Sequence, residues 1–248
     1  MIRLLVGVLV FVINGIYRDR PYPRFYVLET VARVPYFAYM SVLHLYETLG
    51  MWRRADWLKV HFAESWNELH HLLIMEELGG SAFWGDRVLA RAAALVYYWI
   101  VVAMYVVSPK SAYRFMELVE EHAYATYDKF LTEFEGDLKQ KPAPAIAVNY
   151  YRDGDLYMFD EFQTGQVPEH RRPVMDTLFD TFVAIRDDER EHVKTMAACQ
   201  QPDAQEHFHS PHAVSLPNTL ESKVVLTAHE GQAVEADVKT TEKLNVEP

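Results

Sequence analysis

Acidic residues recur in this chain at positions where an amphipathic helix should present its core-facing side. Glu29 follows Val27 and Leu28, and Glu120 lies in Leu118-Val119-Glu120-Glu121-His122-Ala123. Glu68 and His71 stand three apart in Trp66-Asn67-Glu68-Leu69-His70-His71-Leu72, as do Glu189 and His192 in the run that begins Arg186-Asp187-Asp188. Side chains three residues apart share one face of a helix, so each Glu-x-x-His pair offers an oxygen and an imidazole to the same place. Two such pairs, with one glutamate from each of two further helices, make up the donor set of a ferritin-like four-helix bundle that holds two metal ions. Carboxylates can bridge two cations, and the cations offset negative charge too costly to bury alone. A lone pair of this kind more often lies on a solvated helix face. Glu206 and His209 match the same spacing in a polar, Pro-flanked stretch with no helical pattern, and read as chance. Two pairs in order on predicted helices bring a metal site level with the alternative, a helical protein whose glutamates pair structurally.

The rest of the composition narrows the donors. Cys199 is the only cysteine among 248 residues, which removes disulfide frameworks, thiolate zinc sites and iron–sulfur clusters. A metal here must use Glu, Asp and His. The net charge of −11 argues against nucleic acid as a partner. It also makes an anionic membrane a poor electrostatic partner, so any membrane attachment must rest on apolar burial. With half its residues apolar, the chain can bury one substantial core.

Along the chain, residues 1–17 contain an apolar run behind Arg3, too short to span a bilayer. It reads as an interfacial helix, with a secretory signal core as the alternative. Apolar residues at helical spacing follow at Val27, Val31, Val34, Ala38, Val42, Leu45 and Leu49, interrupted by Pro35, which should kink the helix or mark an irregular turn. A second long helix is expected over 55–78, closed by Gly79 and Gly80. An apolar helix is placed over 86–108, its uncharged part 92–107 carrying Tyr97, Tyr98, Trp99 and Tyr105. That part would extend about 24 Å, short of a bilayer core of about 30 Å. Its aromatics suit the interface, so it reads as a helix lying in one leaflet, against a buried core helix. Further helices are expected over 112–134 and from Pro173 to about Cys199, separated by an irregular segment rich in Pro, Gly, Asp and Tyr. Residues 1–200 are thus expected to form one domain and the polar stretch 201–248 a disordered tail.

The residues that carry these readings also resemble a family. Leu28-Glu29-Thr30, Asn67-Glu68-Leu69-His70-His71-Leu72, Glu120-Glu121-His122-Ala123-Tyr124-Ala125-Thr126-Tyr127 and Arg186-Asp187-Asp188-Glu189 followed by His192 resemble the plastid terminal oxidase branch of the alternative oxidases. The resemblance covers roughly residues 18–200. It implies an all-α fold: a ferritin-like four-helix di-iron bundle with two additional apolar membrane-associated helices. It implies two iron ions on Glu29, Glu68, Glu120 and Glu189, with His71 and His192 as histidine partners, and Asn67 and Asp188 orienting the ligands. Tyr127 matches the tyrosine beside the irons. Arg24, Leu28, Val119, His122 and Thr126 match the quinol pocket. His122 stands where the mitochondrial branch has a carboxylate, which suggests plastoquinol. The segment over about 145–165 resembles an insertion of the plastid-type branch, and Arg190 replaces a small residue off the Glu189/His192 face.

The implied activity is oxidation of plastoquinol coupled to four-electron reduction of O2 to water, without proton pumping. A membrane-bound di-iron hydroxylase is the rival. Partners are quinol, O2, membrane lipid and, by resemblance, a second copy in a homodimer. With no Arg- and Ser-rich leader in sight, the chain reads as bacterial, phage or already processed; it is expected on one face of a cyanobacterial thylakoid or plasma membrane.

Overall fold

The computed structural model describes residues 7, 13, 15–17, 19–51, 53–153 and 172–201. The expected helix over 1–17 lies mostly outside these residues, as does the expected tail. Among the described residues the fold is all-helical apart from one isolated bridge, between Pro142 and Thr177.

Six helices carry the architecture: α1 Pro21–Ala32, α2 Val34–Thr48, α3 Ala55–Glu77, α4 Trp84–Val107, α5 Pro109–Leu138 and α6 Leu178–Ala198. Helices α5 and α6 pack together most extensively, α1 and α2 lie against α3 and α4, and α4 meets α5. The predicted interruption at Pro35 takes the form of a break at Arg33, with Pro35 in the first turn of α2. A proline in that position needs no N–H partner and has its φ preset for a helix. On α2 the buried residues include Tyr36, Ala38, Tyr39, Val42 and Leu43, whereas Leu45 and Leu49, expected on the apolar stripe, are exposed.

Helix α3 ends as expected at its glycines. Gly79 has φ +82°, a left-handed turn that favours glycine. Gly80 is needed for close approach, because a Cβ there would meet Tyr22 O at 2.7 Å and Tyr26 Cβ at 2.8 Å on α1. Helix α4 starts earlier than the uncharged stretch, and its 24 residues extend about 36 Å. By length and composition it is apolar enough to cross a membrane. Its start is tied down by Asp86, which accepts from Tyr17 at 3.1 Å and from Arg20 at 2.5 Å. One face buries Ala90, Val101 and Tyr105, while Leu95, Val96, Trp99 and Ile100 stay exposed.

Pro173 does not open the last helix. That start belongs to Thr177, whose side chain accepts from the Asp180 N–H while Asp180 accepts from the Thr177 N–H. This reciprocal cap satisfies two amides that a proline start would leave bare. Between α5 and α6 the segment forms a short turn, Ala145–Ala147, then a π-helical turn, Val148–Arg152, that buries Tyr150 and Tyr151. The remainder of the expected insertion lies outside the described residues.

Candidate metal centre

Each of the four bundle helices delivers its acidic residue to one interior point. Glu29 comes from α1, Glu68 and His71 from α3, Glu120 from α5, and Glu189 and His192 from α6. All six side chains are at most 2% exposed. They form two groups, Glu29–Glu68–His71–Glu189 and Glu68–Glu120–Glu189–His192, within each of which candidate ligand atoms lie within 4.8 Å of one another. Glu68 and Glu189 belong to both groups. That is the arrangement two cations bridged by two carboxylates require, with a glutamate and a histidine completing each end.

The hydrogen bonding of these residues agrees with such a use. Glu29 Oε2, both carboxylate oxygens of Glu68 and Glu189, Glu120 Oε2, His71 Nδ1 and both ring nitrogens of His192 are buried with no hydrogen bond. Native interiors rarely leave so many polar atoms without partners. Burying an unpaired ion costs on the order of several kcal/mol, so the cluster calls for compensating positive charge. Within the protein that charge comes from the imidazoles: His71 Nδ1 lies 3.3 Å from Glu189 Oε1, and His192 Nδ1 lies 2.9 Å from Glu68 Oε1.

The titration behaviour of the metal-free cluster follows. Burial, then repulsion from Glu189 and Glu29, drives the Glu68 carboxyl well above its usual range; burial and the Glu189 and Glu68 charges do the same to Glu120. Burial also disfavours charge on Glu189, but the His192 and His71 imidazoles beside it outweigh that and hold the carboxyl low. Burial opposes charge on both imidazoles, yet their carboxylate neighbours outweigh it and raise both. The protonated forms of two acids and two imidazoles are thus favoured in the place where cations would fit.

The residues expected to orient the ligands are in contact with them. His71 Nε2 faces Asp188 Oδ2 at 3.1 Å, leaving Nδ1 toward the glutamates. Asp188 Oδ2 also accepts from Asn67 at 2.7 Å and from Tyr151 at 2.8 Å. A carboxylate on the far nitrogen of a ligating histidine fixes its orientation and raises its basicity. Tyr150 and Tyr151 were not among the sequence candidates. Asn67 also donates to Tyr150, at 2.9 Å.

Tyr127 donates to Glu29 Oε1 and stacks on Phe25 with centroids 4.4 Å apart. At the other end, Tyr36 donates to Glu120 Oε1 at 2.8 Å, a contact the sequence reading missed. Of the expected quinol residues, Arg24 is half-buried; burial lowers its pKa and the nearby Tyr127 counters that. His122 is pushed down by burial, then by the Arg24 charge, and lies 3.4 Å from Thr126 Oγ1. Leu28 packs with the cluster that includes Tyr127, while Val119 packs with the cluster around Tyr36. Arg190 points off the ligand face and lies over the Tyr124 ring.

A family model described as Alternative oxidase matches residues 2–201. The chain is 60% identical over 221 residues to a ubiquinol oxidase 4, chloroplastic/chromoplastic, of Arabidopsis thaliana, covering 86% of this chain and 62% of that protein. It is 37% identical over 127 residues to a mitochondrial ubiquinol oxidase of Mangifera indica, 51% of this chain and 40% of the relative. It is 33% identical over 167 residues to a mitochondrial ubiquinol oxidase 1b of Oryza sativa subsp. japonica, 67% of this chain and 44% of the relative. The chain therefore spans less than two thirds of the length of each. The expected cyanobacterial membrane is corrected here, because the relative at 60% identity is a chloroplastic and chromoplastic protein, which points to a plastid. That expectation rested on a missing leader, a segment cleaved from mature proteins and so silent about compartment.

Proposed function

The chain belongs to the alternative oxidase family, on its plastid terminal oxidase branch, and from that premise we propose that it oxidises plastoquinol and passes the electrons to O2. The observation that carries this reading is the pair of four-residue groups sharing Glu68 and Glu189, with their buried oxygens and ring nitrogens lacking hydrogen bonds. Two iron ions, held by Glu29, Glu68, Glu120, Glu189, His71 and His192, would supply the redox capacity and Lewis acidity that O2 reduction needs. The donor set of hard oxygens and imidazoles suits that metal.

The protein's own residues do the rest. Arg24 and His122 orient the quinol head group, supported by their shared electrostatic environment. His122 is the base proposed to accept a quinol proton; burial and the Arg24 charge lower its pKa and so favour the unprotonated form such a base starts from. Tyr127, hydrogen-bonded to Glu29, stands beside the candidate ligands, where its phenol could supply an electron and a proton. Asp188 and Asn67 keep His71 aimed at the centre. Phe25, stacked on Tyr127, keeps water from that side.

Complete reduction of O2 consumes four electrons, hence two quinols. The exposed apolar face of α4, with Leu95, Val96, Trp99 and Ile100, supports docking onto one leaflet, where quinol resides. With Asp86, Arg87 and Arg91 in its first turns, α4 is better suited to lying in the interface than to crossing. Release and uptake of protons on one face then moves none across the membrane, and a homodimer is the assembly proposed.

The test is O2 uptake driven by decyl-plastoquinol, comparing wild type with Glu189→Ala. Uptake in wild type, its loss in the variant, and quinone with no oxygenated product are expected. Equal rates in both proteins would overturn the reading, and an oxygenated quinone would make the protein a hydroxylase.

A further inference from the structure

At the Glu120 end of the centre lies a second set of buried polar groups that takes no part in holding metal. His61 and Tyr113 are 0% exposed and Glu64 is 2% exposed. His61 Nδ1 faces Glu64 Oε2 at 3.0 Å, and His61 Nε2 faces the Tyr113 hydroxyl at 2.8 Å. A neutral imidazole has one N–H and one lone pair. In the tautomer that carries its proton on Nδ1, that nitrogen donates to Glu64 and Nε2 accepts from Tyr113. The Tyr105 hydroxyl, 2.8 Å from that of Tyr113, then donates to the Tyr113 oxygen. The result is a phenol–imidazole–carboxylate series with a proton placed at each link.

Packing alone does not account for it. Apolar side chains of similar volume are often as stabilising as buried ionisable groups, or more so. Burial drives the Tyr113 phenol well above its usual pKa, so a free tyrosinate is closed to it. An electron can leave Tyr113 only together with its proton, and His61 is the base in hydrogen-bond contact to take it.

The rings continue toward the metal centre. Tyr39 lies 4.9 Å from Tyr113 and 6.4 Å from Tyr36, centroid to centroid. Tyr36 binds Glu120 and meets the His192 ring edge-on at 5.6 Å. From Tyr113 to the ligands, each oxidisable ring is next to another.

We infer that Tyr113 is a second redox-active tyrosine, which gives one electron to the oxidised centre through Tyr39 and Tyr36 while its phenol proton passes to His61. In that step the centre gains one electron and Tyr113 becomes a neutral phenoxyl. Nε2 of His61 gains the phenol proton and Nδ1 passes its own to Glu64. The next quinol oxidised at the centre returns an electron along the same rings, and both protons move back. The device serves an O2 that arrives when only one quinol has been consumed and electrons are short. It is separate from Tyr127, which sits at the Glu29 end.

The inference rests on the proposed function, and radical location separates the two. Iron-loaded enzyme carrying 3-fluorotyrosine at position 113 is reduced with dithionite, desalted, mixed with O2 without quinol and freeze-quenched for electron paramagnetic resonance. A tyrosyl signal with fluorine splitting is expected, together with loss of that component in Tyr113→Phe and in His61→Leu. A tyrosyl signal without fluorine splitting, or no radical from protein that binds iron and oxidises quinol, would overturn the inference. Absence of both iron and quinol-driven O2 uptake in wild type would overturn the proposed function itself, and the inference with it.

Discussion

Protons and the proposed cations would compete for the same atoms at the centre of this protein, and that competition has a measurable sign. In the metal-free protein Glu68, Glu120, His71 and His192 all have pKa values raised by their surroundings. A group whose folded pKa is raised contributes stability below its unfolded pKa, and that contribution is lost as pH rises through the folded value. The unfolded values are 4.5 for the two glutamates and 6.5 for the two histidines, so the loss begins above 4.5 and continues through neutrality. Glu189, held low, acts in the opposite direction only where pH falls below 4.5. Chelated protein should therefore melt at a lower temperature at about pH 8 than at about pH 5.5. Iron-loaded protein should show a much flatter dependence, because the metal replaces those protons. Thermal melts of both forms across that range check this, and identical slopes would contradict it.

At the scale of elements, the site was legible in the sequence to the extent that its signals were local. Glu68 with His71, and Glu189 with His192, each repeat within one helical turn, so spacing alone puts them on one face. Glu29 and Glu120 have no such partner nearby, and their inward aim showed only as acids among apolar neighbours. Tyr36 was not legible, because the apolar stripe read from the sequence counted no tyrosine among its positions. The stripe extended from Val27 holds at Ala38 and Val42, both buried, but runs on to Leu45 and Leu49, which are 48% and 64% exposed. Tyr150 and Tyr151 reach Asn67 and Asp188 from a π-helical turn in a Pro-rich segment, where no periodicity announces them. The start of α6 was misplaced because Pro173 and Thr177 are both competent helix openers, and only the reciprocal bond with Asp180 decides between them. The turn after α3 offers a test at this scale. Gly80→Ala places a methyl group against the Tyr22 and Met75 carbonyls, and overpacking of this kind should cost about 1–3 kcal/mol in denaturant unfolding. Gly136→Ala, with nothing within 4 Å of the new methyl group, should not destabilise.

For the molecule as a whole, α4 links the bundle to its proposed surroundings. Its inner face closes the aromatic cluster around Tyr39 and Tyr113, and its outer face leaves Leu95 and Trp99 65% and 63% exposed. An apolar face of that kind on a chain of net charge −11 suits neutral lipid held by burial rather than by charge. The Leu95→Lys, Trp99→Lys double variant should lose co-sedimentation with neutral-lipid vesicles while its unfolding free energy shifts by no more than about 0.5 kcal/mol per surface substitution. Retained vesicle binding would move the lipid contact elsewhere. The proposed chemistry depends on something more basic, the use of Glu68 and Glu189 by both candidate cation positions. Iron per chain, measured by elemental analysis of anaerobically reconstituted protein, tests that most directly. The account expects two irons in wild type, close to none in Glu68→Ala, and an intermediate content in Glu120→Ala, which removes a residue from one group only. Wild-type protein that takes up no iron, or a Glu68→Ala variant that keeps the full complement, would contradict it.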